Sequence, residues 1–264
     1  MLVINDLRVQ YRTNGRLVSG LNGLSLKCGE EKLGVVGVSG SGKSSIGRAI
    51  MRLLPDTAVV TAKEMSFGGR NLLKYDNRSA VAWRGREVAM IFQDPHLALN
   101  PVMTIGSQIT ETYKRHIGSE RRAARRYGLR LLEAVHIANP TLMWNSYPRE
   151  LSGGMAQRAM IALMLACNPR FLIADEPTSA LDVLARQAVL EILDELVELR
   201  GMGLLLISHD LGLVTKFCDR VVVIRDGKDI ETLPASELED SLCSYTRSLL
   251  AARPRLLNPT QRPD

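Results

Sequence analysis

Cysteine is sparse and dispersed in this chain: Cys28, Cys167, Cys218 and Cys243 form no CxxC pair and have no histidine partner at metal-ligand spacing. That argues against both a disulfide framework and a structural zinc site, and leaves ordinary reduced thiols. Also missing is any apolar run near the ~20 residues that a membrane-spanning helix needs. The longest candidates are Met160 to Cys167 and Gly203 to Ile207. The opening Met1-Leu2-Val3-Ile4-Asn5-Asp6 lacks the basic and apolar regions of a signal peptide, so a soluble chain that stays in the cytosol is expected. No internal repeat or linker divides the sequence, and 264 residues at 45% hydrophobic content suffice for one full core. The net charge of +6 does not choose between nucleic acid, anionic lipid and no partner at all.

What is present is an alternation. Short runs rich in Val and Ile at Lys32 to Val38, Val88 to Phe92, Phe171 to Ala174, Gly203 to Ile207 and Val221 to Arg225 recur between helical patterns. This predicts an α/β fold whose sheet is buried on both faces. Leu2-Val3-Ile4, Leu24-Ser25-Leu26 and Met65-Ser66-Phe67, separated by Gly and Asn turns, predict a small antiparallel lobe beside it. From Pro101 to Ser152 the pattern is helical, with Ser119 as an N-cap for a helix reaching His136 and no strand in the stretch. Lys114-Arg115-His116 with Arg121, Arg122, Arg125, Arg126 and Arg130 would cluster along one side of a helix, either as a solvated face or as a contact for lipid headgroups or a partner. Asp182 caps a further helix with an apolar face of Val183, Val189, Ile192, Leu193, Leu196 and Val197, stopped by Gly201. The tail from Arg253 is rich in Pro and Arg and is expected to fray.

Gly37-Val38-Ser39-Gly40-Ser41-Gly42-Lys43-Ser44 matches the phosphate-binding pattern GxxxxGK[ST], placed after a strand and before a helix. Glycines let the backbone curl so that successive amides face phosphate oxygens, Lys43 reaches the β- and γ-phosphates, and Ser44 offers a hydroxyl to magnesium. Ser45 completes the nucleotide-binding set of Gly37, Ser39 to Ser44 and their neighbours. Phe171-Leu172-Ile173-Ala174-Asp175 is an apolar strand ending in an acid suited to a magnesium hydration shell, a Walker B role. Glu176 follows, where a carboxylate can polarise an attacking water, and is the candidate catalytic base.

Leu151-Ser152-Gly153-Gly154-Met155-Ala156-Gln157-Arg158 narrows the class, because it resembles the LSGGQ signature of ABC ATPases. The resemblance covers residues 1–252 and implies a P-loop, RecA-like ABC ATPase core with an antiparallel β lobe and an inserted helical lobe at about 97–160. Met155 stands where the family's Gln is usual. Ser152, Gly153 and Gly154 would then cap the γ-phosphate of ATP bound to an opposite subunit. Gln93 resembles the Q-loop glutamine that touches magnesium and water, Ser179-Ala180-Leu181-Asp182 the D-loop at the dimer interface, and His209 the switch histidine on the γ-phosphate. Tyr11 sits where the family places an adenine-stacking aromatic, although an ordinary strand aromatic fits the local sequence too.

Asp94-Pro95, Leu99-Asn100-Pro101, Tyr147-Pro148 and Tyr245-Thr246 resemble the oligopeptide, dipeptide and nickel importer branch, with Cys243-Ser244 replacing its usual His-Pro. The resemblance implies ATP and Mg2+ as cofactors, a second ABC ATPase subunit in a heterodimer, two permeases, an extracytoplasmic binding protein, and a peripheral place on the cytoplasmic face of the inner membrane. Nucleic acid is not an expected partner. Many longer members of the branch carry a cysteine-bearing extension; its absence here leans the expectation toward nickel-type or metal-chelate subunits over peptide ones. The alternative is an ABC-type ATPase acting on DNA or ribosomes, but zinc-binding cysteine pairs, long coiled coils and a second cassette are all missing.

Overall fold

The computed structural model describes residues 1–13, 15–118 and 120–252. Two sheets organise it. The first is antiparallel and five-stranded: β1 (Leu2–Thr13) and β2 (Arg16–Cys28) form a long hairpin, with β4 (Ala58–Thr61), β5 (Glu64–Phe67) and β6 (Arg70–Asn71) completing the sheet. The second runs β11-β10-β3-β9-β8-β7, built from β3 (Lys32–Val36), β7 (Val88–Ile91), β8 (Phe171–Asp175), β9 (Gly203–Ile207), β10 (Arg220–Arg225) and β11 (Lys228–Pro234). All its neighbours are parallel except the β10/β11 edge pair.

The continuous apolar runs are explained by burial on both faces. Side chains along a strand point alternately to opposite faces, and the two halves of each run enter different cores. Leu172, Ala174, Leu204, Leu206, Val221 and Val223 pack with helices α7 (Gly153–Leu165), α8 (Val183–Arg200) and α9 (Leu211–Phe217). Phe171, Ile173, Leu205, Ile207, Val222 and Ile224 face α1 (Lys43–Ile50), α2 (Asn77–Trp83) and the antiparallel lobe. Cys28, Cys167 and Cys218 are buried thiols, with burial raising Cys28 to about 12 and Cys167 to about 11.

Between β7 and α7 lies the helical lobe, made of α3 (Pro95–Ala98), α4 (Ile105–His116), α5 (Arg121–Ala134) and α6 (Pro140–Asn145); no strand occurs in its described residues. Trp144 of α6 wedges between α4 and α5 because two glycines admit it: a Cβ on Gly106 or on Gly128 would collide with the indole. The remaining helix, α10 (Ser244–Ala251), is tied down by Thr246, which donates its hydroxyl to Glu231.

Several expectations are corrected. The strand at Lys32 stops at Val36, because Gly37 onward turns into the loop before α1. The hairpin strands are far longer than their sequence fragments. Register shifts beside Asp6, held at φ 53, throw the apolar alternation out of phase. The helix read as reaching His136 ends at Ala134, and His136 itself adopts φ 56; Ser119 lies outside the described residues, as does the tail from Arg253. The basic residues do not share one helix, since Lys114 and Arg115 belong to α4 and Arg121 to Arg130 to α5. Val183 is 80% exposed, because it starts α8 beyond the edge of the core, whereas Val189, Ile192, Leu193, Leu196 and Val197 are buried. Asp182 caps that helix through Ala185 N at 2.9 Å and Gly201 ends it at φ 58, as predicted.

The Trp144 wedge is testable. Gly106→Val should destabilise the chain by about 1–3 kcal/mol through overpacking, read as a lower urea midpoint. An unchanged midpoint would contradict the close packing of α4 on Trp144.

Candidate functional site

The site grows from the C-terminal ends of three adjacent strands, β3, β9 and β8, the edge where open α/β sheets place their ligands. From β3 the chain enters the loop Gly37 to Gly42, held by main-chain contacts. A Cβ on Gly37 would strike the carbonyl oxygen of Ile224, and one on Gly42 would strike that of Gly20. Gly42 also takes φ 96, a conformation that favours glycine. Gly227 N donates to Ser41 O at 3.1 Å, so the β10–β11 turn closes over the loop. Gly42 is the N-cap of α1 without any side-chain cap, which leaves the first amides of this helix for another acceptor.

Lys43 is 7% exposed and folds back along the loop, its Nζ donating to Gly37 O at 2.9 Å and Val38 O at 2.8 Å. Burial pulls its pKa below the ordinary lysine value, against the opposing charges of Glu176 and Asp175. Ser44 Oγ donates to Asp175 Oδ1 at 3.0 Å at the end of β8. Burial raises the Asp175 carboxyl, an effect countered by the Ser44 hydrogen bond and by Arg48 and Lys43. A curl of amides with a central ammonium is an anion cradle.

Glu176 adopts φ 51, costly for a residue with a Cβ, and its N–H donates to Ile207 O at 2.9 Å. Its carboxylate meets His209 Nδ1 at 2.8 and 2.7 Å from its two oxygens. His209 is delivered by the end of β9, where Ser208 N donates to Val35 O at 3.1 Å. The strained backbone therefore serves to bring an acid and an imidazole from neighbouring strands together.

Tyr11 packs as a strand aromatic next to the start of α1. Its ring packs on the antiparallel core, its edge lies over Gly20, and its hydroxyl shares a 2.8 Å hydrogen bond with Ser45 Oγ at the start of α1. Ser39 and Gly40 lie exposed on the loop, while Ser41 Oγ is buried without a hydrogen-bond partner among the described residues.

Other candidates are not joined to this cluster. Ser152 caps α7, its Oγ accepting from Met155 N at 3.4 Å; Gly153 and Gly154 begin that helix against Leu181 and Ala185, so the signature segment neighbours Asp182 rather than the phosphate loop. Gln93 is exposed beyond the end of β7, and no described hydrogen bond joins it to Ser44 or Asp175. Sequence reasoning missed the parts that hold the loop, namely Gly20 and the Asp226-Gly227 turn. Asp-Gly between strand patterns was the available signal for the latter.

A family model described as ABC transporter matches residues 21–179, which contain the phosphate loop, the signature and the Asp175-Glu176 pair. The chain belongs to the ABC transporter family. This ABC ATPase is 42% identical, over 96% of its length and 77% of the relative's, to a probable peptide ABC transporter ATP-binding protein, y4tR, of Sinorhizobium fredii. It is 40% identical to the oligopeptide transport ATP-binding protein OppD of Bacillus subtilis, over 97% of its own length and 72% of that protein's. Its fold matches the ATP-binding cassette MJ0796, solved as a dimer bound to ADP and Pi, with a TM-score of 0.79 at 24% identity over 89% of this chain and 99% of that one. It is an ATP-hydrolysing transporter subunit of the P-loop ABC fold.

Gly42→Ala should weaken binding of a fluorescent ATP analogue at least ~5-fold, since the φ strain alone is worth about 1–3 kcal/mol. Binding within twofold of wild type would show that the loop does not need this backbone.

Proposed function

We propose that this ABC ATPase energises the import of short peptides through partner permeases, with Glu176 as the base of hydrolysis. The observation that carries the chemistry is the Glu176–His209 pair beside the phosphate loop. The names of the relatives, peptide and oligopeptide transport ATP-binding proteins, support peptides over the nickel or metal-chelate cargo that the sequence left open. They likewise favour transport over action on DNA or ribosomes.

In this reading the loop amides and Lys43 bind the phosphates of ATP, and Tyr11 lies against the adenine. Glu176 accepts a proton from the attacking water, while His209 orients the carboxylate and contacts the γ-phosphate. The Ser44 hydroxyl and Asp175 carboxylate are hard oxygen donors side by side, suited to Mg2+. Among the described residues no cluster of three or more His, Cys, Asp or Glu could hold a metal, so these two with Gln93 and the phosphates would hold it. When bound, Mg2+ neutralises phosphate charge.

Ser152, Gly153 and Gly154 do not reach the subunit's own loop hydrogen-bond network, which supports their capping ATP on a second ATPase subunit. Val183 and Leu184, 80% and 82% exposed beside Asp182, support an interface there. No helix among the described residues is long and apolar enough to cross a membrane. The relatives' names, peptide and oligopeptide transport ATP-binding proteins, support a peripheral place on the cytoplasmic face of the inner membrane, under two permeases fed by an extracytoplasmic binding protein. On the helical lobe a groove of about 860 Å3 is lined by Lys114, Arg121, Arg122, Arg125 and Trp144, with Glu111 its one carboxylate, already paired to Arg115. None of the four lining cations is in an ion pair among the described residues, so the groove suits an acidic permease segment by charge complementarity.

In cells expressing Glu176→Gln at matched levels, uptake of a labelled dipeptide should be lost and ATP turnover of the purified protein should fall at least ~100-fold. Loss of nickel uptake with normal dipeptide uptake would replace the cargo, and normal turnover would remove Glu176 as base. Replacing Arg121, Arg122 and Arg125 together by Ala should lower dipeptide uptake while leaving nucleotide affinity unchanged; full uptake would exclude the groove as the permease contact.

A further inference from the structure

Between α8 and α9 lies a second groove, of about 510 Å3, with Arg186, Gln187, Glu191 and Asp194 on one wall and Asp210 and Lys216 on the other. An ion pair spans it: Arg186 Nη1 to Asp210 Oδ2 at 3.2 Å. Both partners sit at informative places. Arg186 closes the first turn of α8, its N–H donating to Asp182 O at 2.9 Å, in the same turn as the exposed Val183 and Leu184. Asp210 directly follows His209 and anchors α9, accepting from Leu213 N at 3.0 Å with Oδ1 and donating its own N–H to Ser208 Oγ at 3.0 Å.

We propose that Arg186 is a positioning residue for hydrolysis: through Asp210 it holds His209 against Glu176, and so ties the start of α8 to the catalytic pair. The inference rests on the assignment of Glu176 and His209 given above. The two carboxylate oxygens of Asp210 divide the work, one fixing the helix that follows His209 and the other taking the pull of α8. Removal of Arg186 leaves the α9 cap intact, so the fold survives and only the tether is lost. Both side chains are about two-fifths exposed, so the pair adds little to stability and its effect falls on geometry. The guanidinium Nε is buried without a hydrogen-bond partner among the described residues, so Arg186 is held at Asp210 by its terminal nitrogen alone. A second subunit pressing on the exposed turn at Asp182 to Leu184 would shift α8 and, through this tether, the segment that carries His209.

The experiment uses the tagged full-length chain, purified from membranes with the subunits that accompany it. Arg186→Gln and Asp210→Asn, the latter still able to cap α9, should each lower kcat about tenfold. KM and the affinity for a fluorescent ATP analogue should stay within about twofold. Arg186→Lys should keep at least half of the activity, and the double variant Arg186→Gln/Asp210→Asn should be no slower than the slower single one. Wild-type kcat in Arg186→Gln, additive losses in the double variant, or a loss of affinity matching the loss of kcat would each overturn the tether. If Glu176→Gln abolishes turnover while Arg186→Gln is normal, the tether fails and the hydrolysis reading stands; if Glu176→Gln turns over normally, both fail.

Discussion

Everything in this molecule is arranged around a loop packed by backbone rather than by side chains. Gly42 at φ 96 presses on the carbonyl of Gly20 in the antiparallel lobe, Gly37 presses on the carbonyl of Ile224 in β10, and Gly227 donates to Ser41 O. The first two contacts leave no room for even a methyl group, and the third is a main-chain hydrogen bond. Such contacts have no rotamers to relax, so the loop fixes the antiparallel lobe and the β10–β11 turn relative to the parallel sheet. The anion cradle and the register between the two sheets are one constraint.

Within that frame the site is built from groups kept out of water. Lys43 and Asp175 are both nearly fully buried, and burial disfavours the charged form of each. They oppose one another in charge, which offsets part of that cost, and Ser44 satisfies Asp175 by a hydrogen bond. Glu176 adds backbone strain at φ 51, sustained by its N–H bond to Ile207 O and by Ser179, whose Oγ donates to Glu176 O at 3.1 Å. The strain is local and the restraint comes from β9 and from the turn that follows Glu176, a common arrangement where an acid must point in one direction.

The parts proposed to face other subunits are built differently. The signature helix sets its two glycines against the segment that opens α8, Gly153 on Leu181 just before the helix and Gly154 on Ala185 within it, and the start of α8 exposes Val183 and Leu184. The helical lobe is held by Trp144 seated over two glycines, and its outer groove keeps its positive charges free of ion pairs among the described residues. Rigid main-chain packing surrounds the nucleotide loop, while adaptable surfaces face outward.

Local patterns were legible wherever chemistry or burial depends on near neighbours in sequence. GxxxxGKS, the acid at the end of an apolar strand, the Asp182 cap and the Gly201 stop all act within a few residues, and the runs of Val and Ile announced a sheet covered on both faces. Other features escaped because their causes are far apart in the chain. The wedge of Trp144 needs Gly106 and Gly128 on two helices, the basic groove joins Lys114 to Arg121 across a turn, and the exposure of Val183 depends on where the core ends. The sequence by itself determined the loop, the acids and the alternation of strand and helix, because backbone freedom and side-chain periodicity are local properties. Only the tertiary structure decided that His209 meets Glu176, that Gly20 closes on Gly42 and that Arg186 reaches Asp210, because each of these pairs is created by strand order and helix packing.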